Sequence, residues 1–442
     1  MSDPFVHLHV ASGYSMRHGA NHPADLVTRA AEHGMPALAL TDRDGLYGAV
    51  KFALACRSAG VRPIFGVDLA VAPDPGISLP PPLARALAGT VPPRMRTATP
   101  GRRAPVRGGA SVDPRLPRVT FLARDGAGWR SLCRLTSATH LRGTRGEPVA
   151  SLALAAEHAP GLVAVLGPDS PVGRALAAGR ADVASARLSA WRSVFGPGSL
   201  VVELVHHRGR GDRSRAQRLL RFAEEEGVPA VLTNAVRYVD ALDAPTADVL
   251  DASRRLVALD TRHVDRRTAE GYLKSGKEMA EVAADLVGPD RDAALRLTER
   301  TARLAEQCAV DVREDLGVGT VRYPELDVVT APGERGMGPS EVLRARCEAG
   351  MGRRGMAPSE RVRQRLDEEL AVIDQLGYPS YFLTVADVVD LIKSLRVRAA
   401  GAPRLPRRPT RCFGPGARAP SATVTARRRA SGSGSASTTS SR

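Results

Sequence analysis

The 442-residue sequence contains no aspartate or glutamate after Asp390. Twelve Lys and Arg lie between Leu391 and Arg442, so that segment carries +12 of the net +16. Between Leu69 and Arg118, eight arginines face only Asp74 and Asp113, a further +6. The remainder is close to neutral, so the overall charge says little about any binding face. There is no run of eighteen apolar residues, and MSDPFVHLHV lacks the basic-then-apolar layout of a signal peptide. A cytoplasmic protein without a membrane segment is the expectation. The five cysteines (Cys56, Cys133, Cys308, Cys347 and Cys412) form no CxxC pair. That excludes a zinc ribbon and a disulfide framework and leaves free thiols. No short repeat recurs.

What is there is a 43% apolar chain, enough for two or three cored domains. Over residues 4–69 strand and helix alternate. PFVHLHV reads as a strand, HPADLVTRAAEHG as an amphipathic helix, MPALALTD as a buried strand, GLYGAVKFALACRSAG as a helix and VRPIFGVDLAV as a strand. That spacing predicts parallel pairing with right-handed crossovers. Residues 72–117 are rich in Pro, Gly, Ala and Arg and are expected to be a disordered insertion. The alternation resumes with RVTFLAR and runs to VPAVLTNAVRYV, and residues 262–312 and 339–376 read as mainly helical. The tail 397–442 is basic, lacks apolar periodicity and is expected to be disordered.

The first strand carries His7 and His9. On a strand, residues two apart face the same way, so H-x-H at its C-terminal end aims two imidazoles at one point. In a βα barrel that point is the catalytic mouth, where acids and histidines of later strands gather around metal ions. Here the residue two beyond His9 is Ala11. Later strand ends offer Asp42, Asp44, Asp68 and Arg237.

The order HLHVASGYS, GMPALALTDRDGLYGAVKF, GVRPIFGVDLAV resembles the PHP (polymerase and histidinol phosphatase) domain that opens bacterial DNA polymerase III alpha subunits. FLARDGAGWRSLCRLTSATHL, VPAVLTNAVRYV, YLKSGKEMAEV and LGYPSYFLTVADVVDLI resemble the same family in the same order, so the resemblance covers roughly residues 4–395. The error-prone alpha-type polymerases share this opening. The resemblance implies an α/β fold, a PHP-type distorted βα barrel followed by a mainly helical segment and a partial palm. The implied domains are PHP at 1–285, a helical linker at 286–338, the start of the palm at 339–396, and the tail.

Metal-bearing PHP domains resemble one another in H-x-H with a following Leu-Asp-Gly, then T-D-H, G-x-E and N-D-x-H-Y. His9 matches the first histidine, Ala11 replaces the second, and His18 stands where an aspartate is usual. Arg43 replaces the T-D-H histidine, Asp68 the glutamate, Ala235 an aspartate and Arg237 a histidine. Arginine has no lone pair to offer a metal. The expectation is a vestigial, metal-free site in which Arg43 and Arg237 supply the lost positive charge and pair with Asp42, Asp44 or Asp68. A single residual ion would be held by His7, His9, His18 and an aspartate such as Asp68. His206 and His207 are expected to be solvated loop histidines, Trp129 to pack a helix, and Arg427–Arg429 to be solvated.

The family implies template-directed DNA synthesis with Mg2+ held by an Asp-x-Asp pair. With no acid after Asp390, that pair cannot lie in the remaining residues, and no cofactor is expected in this chain. The tail's composition is what a GC-rich coding region gives out of frame, so a frameshift near residue 397 truncating a longer polymerase is expected. The implied partners are DNA, a proofreading exonuclease subunit and a replication clamp. Rival readings are a metal-dependent phosphoesterase or 3′-5′ exonuclease, a scaffold docking the proofreading subunit, and non-specific nucleic-acid binding through the basic segments.

Overall fold

The computed structural model describes residues 5–72, 116–143, 146, 148–256, 258–260, 264–319, 332–334, 336–353, 355 and 359–397. The expected disordered insertion, apart from its ends, and the expected tail beyond residue 397 lie outside the described residues. The chain divides into two compact units, Met1–Thr320 and Val321–Arg442.

The first unit is built on six strands in sequential order: β1 (Ala37–Arg43), β2 (Arg62–Ala70), β3 (Arg118–Ala123), β4 (Leu162–Leu166), β5 (Leu200–Val205) and β6 (Ala230–Thr233). Helices α1 (Pro23–Glu32), α2 (Ala49–Ala59), α3 (Gly126–Arg142), α4 (Leu152–Glu157), α5 (Pro171–Ala177), α6 (Ala181–Phe195) and α7 (Asp212–Glu225) fall between them or lead into them. After β6 come α8 (Ala244–Arg255), α9 (Gly276–Val287) and α10 (Arg291–Gln307). Pairing is parallel for β1–β2, β4–β5 and β5–β6, as the βα spacing predicts. β3 departs from the pattern and runs antiparallel to both β2 and β4. The reason is local. Val71 N bonds Pro117 O at 2.8 Å, so the chain re-enters the sheet beside the point where it left, with no crossover to carry it to the other end.

The first segment is not the regular strand its pattern suggests. His7–Ala11 nonetheless joins the two sheet edges. Ala39 N bonds His7 O at 2.9 Å and Thr41 N bonds Val10 O at 2.8 Å; on the other side Ala11 N bonds Val236 O at 2.8 Å and Val236 N bonds His9 O at 2.9 Å. Val10 N is taken by the Thr41 hydroxyl at 2.8 Å, which breaks the regular ladder. The result is a curled, distorted βα barrel.

Strand parity sorts the side chains. Leu38, Leu40, Phe65, Val67, Leu69, Phe121, Leu162, Val202 and Leu204 point out and pack under the helices. Ala37, Ala39, Ile64, Leu122, Val163, Val165, Val201 and Val231 point in and fill the barrel. Leu304, Ala305 and Cys308, at the C-terminal end of α10, join this interior at the end where β2 begins, where Arg62 caps the Ala305 and Cys308 carbonyls. Thr301 of α10 also bonds Leu232 N at 2.9 Å. The segment expected as a linker thus opens with a helix packed on the barrel. Trp129 packs on Phe65, ring centroids 5.2 Å apart. Cys56 and Cys308 are buried free thiols, each pushed up to about 12 by burial.

In the second unit, α11 (Pro339–Arg353), α12 (Glu360–Gln375) and α13 (Pro379–Ser394) bury Val342, Leu343, Leu366, Leu370, Ile373 and Leu383 in a small core. No helix among the described residues is long and apolar enough to cross a membrane.

Candidate functional site

The inward parity continues past the apolar core to the barrel mouth. After Ala39 on β1 come Thr41 and Arg43; after Ile64 on β2 come Gly66 and Asp68; after Val201 on β5 comes Glu203. β3 runs the other way, so its first residue, Arg118, reaches the same end. A cavity of about 520 Å³ opens there, lined among others by His9, His18, Arg43, Asp68, Arg118, Glu203, Ala235 and Arg237.

Arg118 is the hub. Its Nε donates to Asp68 Oδ2 at 2.8 Å, and its Nη2 donates to Asp44 Oδ1 at 2.8 Å and to the Asp68 carbonyl at 2.6 Å. Arg43 Nε donates to the same Asp68 oxygen at 3.2 Å. The side chains of Arg118, Asp44 and Asp68 are 6%, 5% and 4% exposed, so two carboxylates out of water face two guanidinium groups. Burial alone would push the Asp68 carboxyl up; Arg118, Arg43 and His9 overcome it and hold Asp68 below the usual carboxylate range. Burial and the adjacent Arg118 pull Arg43 down to about 10, against the attraction of Asp68. Asp44 sits in the left-handed region with φ 57°, a conformation aspartate tolerates, and its carbonyl accepts from His140 Nε2 at 2.6 Å.

Asp42 is not part of this network. Its carboxylate accepts from Ser12 N and Ser15 Oγ, both at 2.7 Å, and from Ser12 Oγ, pinning the loop after the first segment. With no cation bonded to it among the described residues, burial outweighs these bonds and its pKa is raised.

Arg237 departs from the expected pairing. It bonds Asp251 of α8, Nη2 to Oδ1 at 2.8 Å and Nη1 to Oδ2 at 3.2 Å, rather than Asp42, Asp44 or Asp68. Arg254 shares Asp251 at 2.9 Å and also bonds Asp265. The His18 carbonyl accepts from Arg237, and the buried His18 ring, surrounded by burial first and then Arg237, Arg43 and Arg254, is held well below the usual histidine range.

The two histidines of the first segment part company. A bend at Leu8 shifts the parity, so Val6 and Leu8 point into the barrel and His9 into the cavity. His7 points away; its Nε2 donates to Lys274 O at 2.8 Å, and burial lowers its pKa to about 4. His9 Nδ1 donates to Glu203 Oε1 at 2.7 Å, and Thr233 Oγ1 donates to that same oxygen at 2.5 Å. Burial lowers the His9 pKa, but Glu203 and Asp68 more than compensate and raise it. Gly167 makes room for this pair, because a Cβ there would lie 2.1 Å from Glu203 Oε2. Ala11 is buried and offers only its backbone, to Val236. His206 is buried and His207, bonded to Asn234 O at 2.7 Å, lines the cavity, so neither is a solvated loop histidine. Arg118, Glu203 and Asp251 escaped the sequence reading. A lone acid in the apolar run SLVVELV is the one signal that marks any of them.

The donor set does not fit a metal centre. Arg43 and Arg237 have no lone pairs, Asp44 and Asp68 are engaged by arginine, and His7 points elsewhere. Among the described residues no group of three or more His, Cys, Asp or Glu is placed to hold an ion.

Residues 7–207 match the PHP domain family. Residues 341–402 match the bacterial DNA polymerase III alpha NTPase domain. A DNA polymerase III subunit alpha of Xylella fastidiosa is 30% identical over 414 residues, which take in 87% of this chain and 30% of that protein. An error-prone DNA polymerase of Nocardia farcinica is 31% identical over 412 residues, 87% of this chain and 34% of that one. The chain is a PHP-domain protein related to the bacterial DNA polymerase III alpha and error-prone polymerases, and it spans about a third of their length. Among solved structures, an amidohydrolase from Chromobacterium violaceum is similar at 17% identity, covering 52% of this chain and 87% of that one, with a TM-score of 0.31. That likeness is too slight to carry an argument.

Proposed function

We propose that this chain serves DNA synthesis as the PHP-bearing part of an alpha-type polymerase, and that its PHP domain is a structural module that works without metal. The observation that supports this is the Arg118 guanidinium bridging Asp44 and Asp68, with Arg43 on the same Asp68 oxygen. Two fixed cations occupy the mouth and neutralise the carboxylates left there, so the barrel end is held together by charge the chain supplies itself.

Residues 339–396 are the start of the polymerase region under this reading. Nucleotide addition needs paired carboxylates to hold magnesium, and the sequence has no acid after Asp390. Under this reading residues 391–442 supply no carboxylate pair for a catalytic Mg2+. DNA, a proofreading exonuclease subunit and a replication clamp are the partners of the intact assembly, in the cytoplasm. The test is a pair of assays on purified protein: primer extension with Mg2+, and phosphate-ester and 3′-end hydrolysis with Mn2+ or Zn2+ added. Inactivity in both is expected. Metal-stimulated hydrolysis abolished by His9→Ala would replace this reading with that of a phosphoesterase.

A further inference from the structure

A surface helix of a small bundle carries one apolar stripe, and α13 carries two. On one side Leu383 joins Val342, Leu366 and Ile373 in the core of the second unit. On the other stand Tyr381, Val385, Val388, Leu391 and, at the C-cap, Leu395, from 43% exposed at Val385 to 65% at Leu395. At about 100° per residue these five fall within an arc of about 120°, facing away from Leu383. The charged residues of α13 lie outside that arc and are spent within the unit. Asp387 bonds Arg346 at 2.6 Å, and Asp390 bonds Lys393 at 2.9 Å. Tyr381 leans on Tyr378 and Phe382, ring centroids 6.3 and 5.8 Å away, which orients its ring at the end of the stripe.

The exposed stripe reads the same in both directions. Its steps are four, three, three and four residues, centred on Val388. When the helix is laid antiparallel on its own copy about a two-fold axis at Val388, Tyr381 meets Leu395, Val385 meets Leu391, and Val388 meets the Val388 of the copy. None of the five is then set against a charge. A two-fold contact requires this self-complementarity, because whatever one residue finds opposite it must be returned by symmetry. The chain's own C-terminal segment is a poor cover by comparison. Residues 398–442 hold ten arginines and no acid, and of leucine, isoleucine, valine, methionine and the aromatics only Leu405, Phe413 and Val424.

We propose that the exposed stripe of α13 is a self-association surface, on which a second copy of this chain docks its own α13 antiparallel about Val388. Two sixteen-residue helices crossing there bury less than a standard interface, so the dimer is weak and forms in the micromolar range.

Sedimentation equilibrium of the full 442-residue chain, from nanomolar to high micromolar concentration, tests this. A reversible monomer–dimer equilibrium with no larger species is expected. Val385→Lys and Leu391→Glu, made separately, set a charge against an apolar side chain at two symmetry-related points, and each should weaken the dimer about tenfold or more. Made together in one chain, they set opposite charges across the two-fold axis and should recover most of the loss. The two positions are six residues apart and do not face each other within one helix, so that recovery reports on the pairing between copies. Both are exposed, and unchanged helix content in the dilute monomer confirms that the unit is intact. A monomer at every concentration overturns the proposal and points to the C-terminal segment or to a different chain as the cover. Growth past the dimer, single variants that associate like the unaltered chain, or a double variant weaker than either single overturns it as well.

Discussion

The barrel and the helical unit use the same side chains in opposite ways. In the barrel, Arg118, Asp44 and Asp68 lie almost entirely out of water, and so do Arg237, Arg254 and Asp251. In the helical unit the ion pairs are more exposed: Arg344 and Asp367, 2.6 Å apart, are 44% and 57% exposed, and even Arg346 and Glu334 are 25% and 20% exposed. Water screens the second kind and cannot reach the first, so removal of one partner has different consequences in the two places. A buried carboxylate that loses its arginine has no other source of charge. An exposed one turns to solvent.

The largest effect is expected from Arg118→Ala, which strands Asp44, leaves Asp68 with Arg43 alone and should cost about 3–5 kcal/mol in urea unfolding at neutral pH. A loss below about 1 kcal/mol would mean that the barrel mouth behaves like the helical surface.

Second is a pH effect centred on His7. Its folded pKa, about 4, lies below the unfolded value, so the native state binds fewer protons than the unfolded chain between about 4 and 6.5. Stability contributed by neutral His7 is therefore full above about 6.5 and is lost as pH falls toward 4, by about 3 kcal/mol. His18, also depressed, acts in the same direction. His9 has the opposite sign: its contribution is complete below the unfolded histidine value and is lost as pH rises through its raised folded pKa. Asp68, held down, loses its contribution only as pH falls below the usual carboxylate range, and Asp42, pushed up, is stabilising only when protonated. The difference between the native chain and His7→Gln, followed by urea unfolding from pH 7 to 4, isolates the His7 share. A pH-independent difference would contradict it.

Third, Asp251→Asn keeps the shape but removes the charge shared by Arg237 and Arg254, and should cost about 2 kcal/mol by the same unfolding measurement. Smallest is Arg344→Ala in the helical unit, under about 1 kcal/mol. If it matched Asp251→Asn, the contrast between the two units would fail.

The barrel was legible in the sequence because apolar strands and amphipathic helices alternate at regular spacing, and the same parity brought Arg43 and Asp68 to one end. Three things were not legible. Arg118 lies at the start of a strand, so a search of strand C-terminal ends passes over it; only the antiparallel direction of β3, set beyond a long insertion, carries it to the mouth. Asp251 sits on a helix, where nothing in DVLDASRR separates it from a solvated acid. The bend at Leu8 sends His7 and His9 to different sides, which a strand period of two forbids. The first is a matter of chain direction, the second of which helix face is buried and the third of local distortion, and residue pattern alone encodes none of them.

The most direct test of the replacement of metal by arginine is elemental analysis of the chain purified from cells grown with manganese, zinc and iron, paired with melting in the presence and absence of EDTA. The expected result is well under one tightly held ion per chain and a melting temperature that EDTA leaves unchanged, since a bound ion would stabilise the fold by mass action. Two or more ions per chain, lost together with several degrees of melting temperature on chelation, would contradict it.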